Sequence, residues 1–144
     1  MNRTRWMSQA AAESLHYIVN YAVISITEPG ETAKIDEQYE ASGKLLRLQF
    51  HDADGNTDWQ IPGYTFDDDV LFTKDMAKEV LGFVSTLEGV DVVVVHCHAG
   101  ISRSAAVAIA LAQIFNLDEQ YGHYMIYNKL VYREMMNAHL ENLL

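Results

Sequence analysis

Residues 90–104 read VDVVVVHCHAGISRS and carry the strongest structural pattern of the chain. The first part is a run of valines, and β-branched residues favour strands. Because the four valines after Asp91 are not interrupted by polar residues, we expect a strand buried on both faces, as in a parallel sheet covered by helices. Residues 104–115, which follow, are strongly apolar and predict a helix packed against that sheet.

The sequence on either side supplies further strands and helices. Residues 22–26 and 44–50 predict two strands, and Glu28-Pro29-Gly30 ends the first of them. Helices are predicted at residues 8–21, with Ser8 as the N-cap, at residues 73–87, and within residues 121–143. This alternation predicts an α/β fold with a central, mainly parallel sheet flanked by helices. A length of 144 residues suits a single domain, residues 1–144.

Composition narrows the possible functions. Twenty acidic and ten basic residues give a formal net charge of −10, which disfavours binding to nucleic acid and to anionic membranes. No stretch reaches the roughly 18 consecutive apolar residues of a membrane span, and the first residues do not resemble a signal peptide. The single cysteine, Cys97, cannot form an intramolecular disulfide. We therefore expect a cytoplasmic protein whose thiol stays reduced.

The loop between the valine-rich strand and the next helix carries the candidate chemistry. Such a loop gathers unpaired N–H groups and the positive end of a helix dipole around one point, which suits a tetrahedral oxyanion. Gly100 helps the loop to curl, and Arg103 adds a planar fork for two phosphate oxygens. Because the same positive field lowers the pKa of a thiol, we expect Cys97 to be a thiolate near neutral pH.

Residues 96–104, HCHAGISRS, resemble the signature of the protein tyrosine phosphatase superfamily, in which His-Cys is followed by five residues, Arg, and Ser or Thr. The segments VISITEPG (23–30), LQFHD (48–52) and YNKLVYREMM (127–136) look like those of compact, dual-specificity-like tyrosine phosphatases of bacteria and phages. The resemblance implies a phosphatase-like sandwich that hydrolyses phosphate monoesters. Tyrosine-only and dual specificity both fit it.

By that resemblance, the signature residues have distinct roles. Cys97 attacks phosphorus and becomes a phosphocysteine, Arg103 clamps the phosphoryl group, and the Ser104 hydroxyl assists release of the thiolate. The phosphoryl oxygens are bound by the backbone amides of His98, Ala99, Gly100, Ile101, Ser102 and Arg103. We expect neither a metal ion nor a cofactor, because Arg103 and the amides supply the positive field. The expected partner is a phosphorylated protein or a small phosphate monoester.

The resemblance also implies a general acid that protonates the leaving group. In the family this residue is an aspartate on a loop after a strand, and Asp52, directly after residues 44–50, has that context. The interval from Asp52 to Cys97 is longer than in many family members, so Asp54, Asp67, Asp68 and Asp69 are alternatives. The run Asp67–Asp69 also suits a second role, capping the helix that follows it.

Two other functions compete with the phosphatase. A rhodanese-like sulfurtransferase also has its cysteine in a short loop before a helix, and a catalytically weak module would only bind phosphate. The Arg-Ser ending and the intact Cys97 and Arg103 favour the phosphatase. His96 and His98 flank Cys97, but successive strand residues point to opposite faces and no second ligand pair occurs, so zinc is not expected. We expect His96 to be structural and His98 to lie at the pocket rim.

Overall fold

The computed structural model describes residues 1–53, 71–118 and 127–144. In chain order, the elements in these ranges are β1 (Arg3–Ser8), α1 (Gln9–Glu13), β2 (Tyr21–Thr27), α2 (Glu37–Ala41), β3 (Leu45–Gln49), α3 (Lys74–Thr86), β4 (Val92–Cys97), α4 (Arg103–Phe115) and α5 (Lys129–Asn142). None of these helices has both the length and the apolar character needed to cross a membrane.

The strands in the described ranges form one four-stranded sheet with the order β1-β4-β2-β3. Every neighbouring pair is parallel. β4 is central, with Cys97 in register with Ser8 of β1 and His96 in register with Ser25 of β2. The predicted α/β fold, with a parallel central sheet flanked by helices, is confirmed.

The valine run of β4 is buried on both faces of the sheet, as its sequence predicts. Val93 and Val95 pack in a core cluster with residues of α3, α4 and α5. Val92 and Val94 pack in a second cluster, which includes residues of α1 and α2. Since successive side chains of a strand point to opposite faces, a strand between two helical layers needs apolar residues at every position.

The prediction of a helix over residues 8–21 is wrong except at its start. Ser8 is the N-cap, but α1 ends at Glu13. The backbone N–H of Tyr17 donates to the Asp36 carboxylate at 3.0 Å, and that of Ile18 donates to the Tyr39 hydroxyl at 3.2 Å. These donors are bound by distant side chains and not by helix carbonyls, so the helix stops.

Two elements lie where the sequence predicts none. β1 ends at the N-cap Ser8, and its burial alternates because Thr4 and Trp6 are buried while Arg3 and Arg5 are exposed. α2 lies in the polar stretch before β3 and is capped by Asp36. The other predicted strands and helices are confirmed, with ends that differ by a few residues.

Candidate active site

The predicted loop lies at the carboxyl ends of β2, β3 and β4, where parallel sheets commonly bind ligands. A cleft of about 610 Å³ opens there. It is lined by loop residues Cys97, His98, Ala99, Ile101, Ser102 and Arg103, together with Glu28, Glu31 and Asp52. The structure therefore places Asp52 in the same cleft as Cys97 and Arg103 of the predicted loop, which is far from Asp52 in the sequence.

Cys97 is the last residue of β4 and is 2 % exposed. Its Sγ lies 3.2 Å from Ser104 Oγ and accepts a hydrogen bond from the Gly100 N–H at 3.3 Å. Burial by itself raises the pKa of this thiol. The hydrogen bonds from Ser104 and Gly100, together with the charge of Arg103, outweigh burial and lower the pKa of Cys97 below its ordinary value. The surroundings thus favour the thiolate.

Arg103 is the first residue of α4 and is 3 % exposed. Its guanidinium contacts two groups that lie just past strands β3 and β2. Its Nη1 donates to the Phe50 carbonyl at 2.7 Å, just past β3. Its Nη2 lies 3.0 Å from Oε1 of Glu28, just past β2. Its buried Nε has no hydrogen-bond partner among the described residues. A buried donor without an acceptor is costly, so this atom is suited to an anionic ligand.

The start of α4 differs from the starts of the other described helices. No side chain caps it, since the Ser102 hydroxyl donates to Asp52. The other helices begin at capping residues Ser8, Asp36, Thr73 and Asn128. The side chain of the N-cap residue of α4 thus accepts no first-turn N–H, and the Ser104 N–H instead donates toward Cys97. A helix start of this kind favours an anion.

Gly100 is required by a close approach between the loop and β1. It has φ +75°, and a Cβ at this position would lie 2.4 Å from the backbone carbon of Met7 and 2.4 Å from the backbone nitrogen of Ser8. Nearby, the Gln9 N–H donates to the His98 carbonyl at 3.1 Å. β1, which the sequence pattern did not predict, is thus the surface against which the loop is folded.

Asp52 lies beside the loop. Its Oδ1 accepts hydrogen bonds from Ser102 Oγ and Asn128 Nδ2, both at 2.9 Å. The alternative acids Asp54, Asp67, Asp68 and Asp69 lie outside the described residues. Asp52 is therefore the predicted acid for which a position in the cleft is established.

The two histidines beside Cys97 lie where their sequence positions led us to expect them. His96 is fully buried, and its Nε2 lies 2.6 Å from Ser25 Oγ of the neighbouring strand. Burial lowers the pKa of His96 below its usual value. His98 is exposed and lines the cleft. Cys97 packs in the core cluster on the other side of β4 from His96.

Two site residues were not predicted as individual positions. Glu28 was predicted only to help end a strand, yet its carboxylate contacts Arg103 and also His51, whose Nδ1 lies 2.7 Å from Glu28 Oε2. Asn128 was only part of a segment with family resemblance, yet it donates to Asp52. A polar residue at the carboxyl end of a parallel strand was the available signal for Glu28.

The loop between β4 and α4 contributes most of the reactive and charged groups of the cleft. The loop joins a thiol with a lowered pKa, a buried guanidinium whose Nε has no partner among the described residues, and an uncapped helix start. Together these groups can bind a tetrahedral oxyanion and place a sulfur nucleophile beside it. No protein-family model and no curated protein matches the chain.

Proposed function

We propose that the protein hydrolyses phosphate monoesters through a phosphocysteine intermediate on Cys97. The observation that carries the proposal is the guanidinium of Arg103, which lines the same cleft as Cys97 and keeps a buried Nε donor without a partner among the described residues. A phosphoryl group supplies acceptors for that donor and for the start of α4. The phosphorus atom then lies within reach of the thiolate.

In the first step, the Cys97 thiolate attacks phosphorus and an S–P bond forms. The P–O bond to the leaving group breaks, and its electron pair stays on the leaving oxygen. Asp52, in its protonated form, gives a proton to that oxygen, so the product leaves as a neutral phenol or alcohol. Arg103 and the loop amides stabilise the charge on the equatorial oxygens.

In the second step, water attacks the phosphocysteine. The Asp52 carboxylate takes a proton from that water, a new P–O bond forms, and the S–P bond breaks to release inorganic phosphate. The electron pair returns to Cys97, whose thiolate is stabilised by the hydroxyl of Ser104, 3.2 Å away. Covalent catalysis of this kind divides one difficult displacement into two easier ones.

Phosphotyrosine in proteins is the substrate that we favour, with phosphoserine and phosphothreonine as further candidates. Ile101 is 48 % exposed and lines the cleft, so it offers an apolar surface to an aromatic ring. The protein would then be a protein tyrosine phosphatase acting in the cytoplasm. Glu28, Glu31 and Asp52 line the same cleft, which disfavours substrates with several phosphates.

The test is hydrolysis of p-nitrophenyl phosphate in the presence of a metal chelator, with native protein, Cys97→Ser and Arg103→Lys compared from about pH 5 to 8. We expect chelator-resistant turnover, loss of it in Cys97→Ser, and a kcat/KM lower by about 100-fold or more in Arg103→Lys, because lysine lacks the planar fork. Acid quenching during turnover should trap phosphate on the peptide that contains Cys97.

Two results would contradict the proposal. The first is the absence of turnover by native protein that is folded by circular dichroism. The second is turnover that persists in Cys97→Ser. Transfer of sulfur from thiosulfate to cyanide by the native protein, without phosphatase activity, would favour the sulfurtransferase instead. Binding of a phosphotyrosine peptide without turnover would favour the binding module.

A further inference from the structure

Asn128 connects three parts of the molecule around the cleft. It is 6 % exposed and precedes α5. Its Oδ1 accepts a hydrogen bond from the Val131 N–H at 3.1 Å and so caps the helix. Its Nδ2 donates to Asp52 Oδ1 at 2.9 Å and to the Ala53 carbonyl at 3.2 Å. Its backbone N–H donates to the Ser102 carbonyl at 3.2 Å.

Hydrogen bonds hold the carboxyl group of Asp52 through one of its two oxygens. Oδ1 receives both Asn128 Nδ2 and Ser102 Oγ. Among the residues in described ranges, no hydrogen bond reaches Oδ2. An oxygen that already accepts two hydrogen bonds is a poor place for a proton, so the transferable proton belongs on Oδ2.

We propose that Asn128 is a positioning residue that orients Asp52 for proton transfer to the leaving group. The inference rests on the proposed function, in which Asp52 is the general acid. Asn128 does not line the cleft and touches no reacting atom. It acts through Asp52, because its amide holds Oδ1 against the loop and leaves Oδ2 to carry the proton.

Loss of a residue that positions the general acid should slow some substrates more than others, according to how much the leaving group needs a proton. The phenol of tyrosine has a pKa of about 10, so its anion is a poor leaving group that needs a proton. The p-nitrophenolate anion is much less basic and departs more easily without one. Loss of the orientation of Asp52 should therefore slow the hydrolysis of phosphotyrosine far more than that of p-nitrophenyl phosphate.

The experiment compares kcat and KM for both substrates in native protein, Asn128→Ser, Asp52→Asn and the double variant. Serine keeps an acceptor that can cap α5 but removes both donors of the amide. We expect Asp52→Asn to lower kcat on phosphotyrosine by about 100-fold. Asn128→Ser should lower it by about tenfold, with KM changed by less than about threefold. On p-nitrophenyl phosphate, Asn128→Ser should cost less than about threefold in kcat/KM, which reports formation of the phosphocysteine and not the second step that both substrates share.

The double variant and a cap control separate positioning from simple structural damage. If Asn128 acts only through Asp52, the double variant should be no slower on phosphotyrosine than Asp52→Asn. Thr73→Ala removes the side-chain cap of α3, which does not line the cleft, and should leave the ratio of the two substrates unchanged.

The remaining outcomes would overturn either the positioning role alone or the proposed function as well. Equal losses of kcat/KM on both substrates in Asn128→Ser, or losses that multiply in the double variant, would overturn the positioning role while leaving the phosphatase intact. Native protein that hydrolyses neither substrate would overturn the proposed function, and the positioning role with it.

Discussion

Oε1 of Glu28 lies 3.0 Å from Nη2 of Arg103 and holds the guanidinium from the end of a neighbouring strand. The contact is one of two anchors, since the Phe50 carbonyl accepts from Nη1 at 2.7 Å. Glu28 lies just past β2, and Phe50 lies just past β3. Arginine side chains have many rotamers, so two anchors reduce the ordering that substrate binding would otherwise require.

The role of Glu28 as an anchor predicts different effects for two substitutions. Glu28→Gln keeps an oxygen that can accept from Arg103, whereas Glu28→Ala removes the contact. We expect Glu28→Gln to retain kcat/KM within about threefold and Glu28→Ala to lose about tenfold, measured on p-nitrophenyl phosphate. Glu88→Gln, at an exposed position outside the cleft, is the charge control and should match native protein. Equal losses in the glutamine and alanine variants would contradict the anchoring role.

Alkylation should report the lowered pKa of Cys97. Ser104 contributes hydrogen bonds that favour the thiolate. Ser104→Ala should therefore raise the pKa of Cys97, and the pH midpoint of inactivation by iodoacetamide should move upward. Ser102→Ala serves as the control, because its hydroxyl contacts Asp52 and is not among the causes of the Cys97 shift. A midpoint that stays unchanged in Ser104→Ala would show that this residue does not stabilise the thiolate.

Gly100→Ala should disrupt both the loop and β1. The new methyl group would lie 2.4 Å from backbone atoms of Met7 and Ser8, in addition to the strain of a positive φ. Gly89 has φ +68° with open space within 4 Å of where a Cβ would lie, so Gly89→Ala isolates the strain, about 1–2 kcal/mol. We expect Gly100→Ala to lower the free energy of unfolding further than Gly89→Ala in urea titrations. Only Gly100→Ala should lose phosphatase activity; equal destabilisation by the two variants would contradict the close approach.

The buried His96 predicts a pH dependence of stability. Burial lowers its pKa below the usual 6.5, so below that pH the unfolded chain binds a proton that the folded protein does not. The stability due to neutral His96 is present above about pH 6.5 and is lost as the pH falls through the lower folded-state pKa.

The measurement is urea unfolding at about pH 7 and about pH 5. His96→Asn should show a smaller decrease in unfolding free energy between these pH values than native protein shows. His16→Asn, at an exposed position, should keep the native decrease. A decrease in His96→Asn as large as the native one would show that His96 does not cause the acid sensitivity.

The elements predicted correctly have strong local patterns. The valines of β4 and the apolar run of α4 indicate their own burial, because every position of a covered parallel strand and most positions of its packed helix are apolar. β1 was not predicted, because arginines at its two exposed positions interrupt a short alternation of buried and exposed residues. The helix predicted beyond α1 was wrong for the opposite reason. Apolar residues continue at helical spacing there, but the backbone N–H groups of Tyr17 and Ile18 donate to side chains of α2 and its N-cap.

Local patterns in the chain were enough to establish the α/β class, the strand-loop-helix unit around Cys97 and Arg103, and the residue types that suit a phosphoryl group. These properties depend on neighbours in the chain, so they can be read locally. The contact of Glu28 with Arg103, that of Asn128 with Asp52 and the packing of the loop against β1 became known only from the folded protein. Such contacts join residues far apart in sequence. The parallel pairing of the strands, with helices between them, brings these residues to one edge of the sheet. No local pattern specifies that pairing.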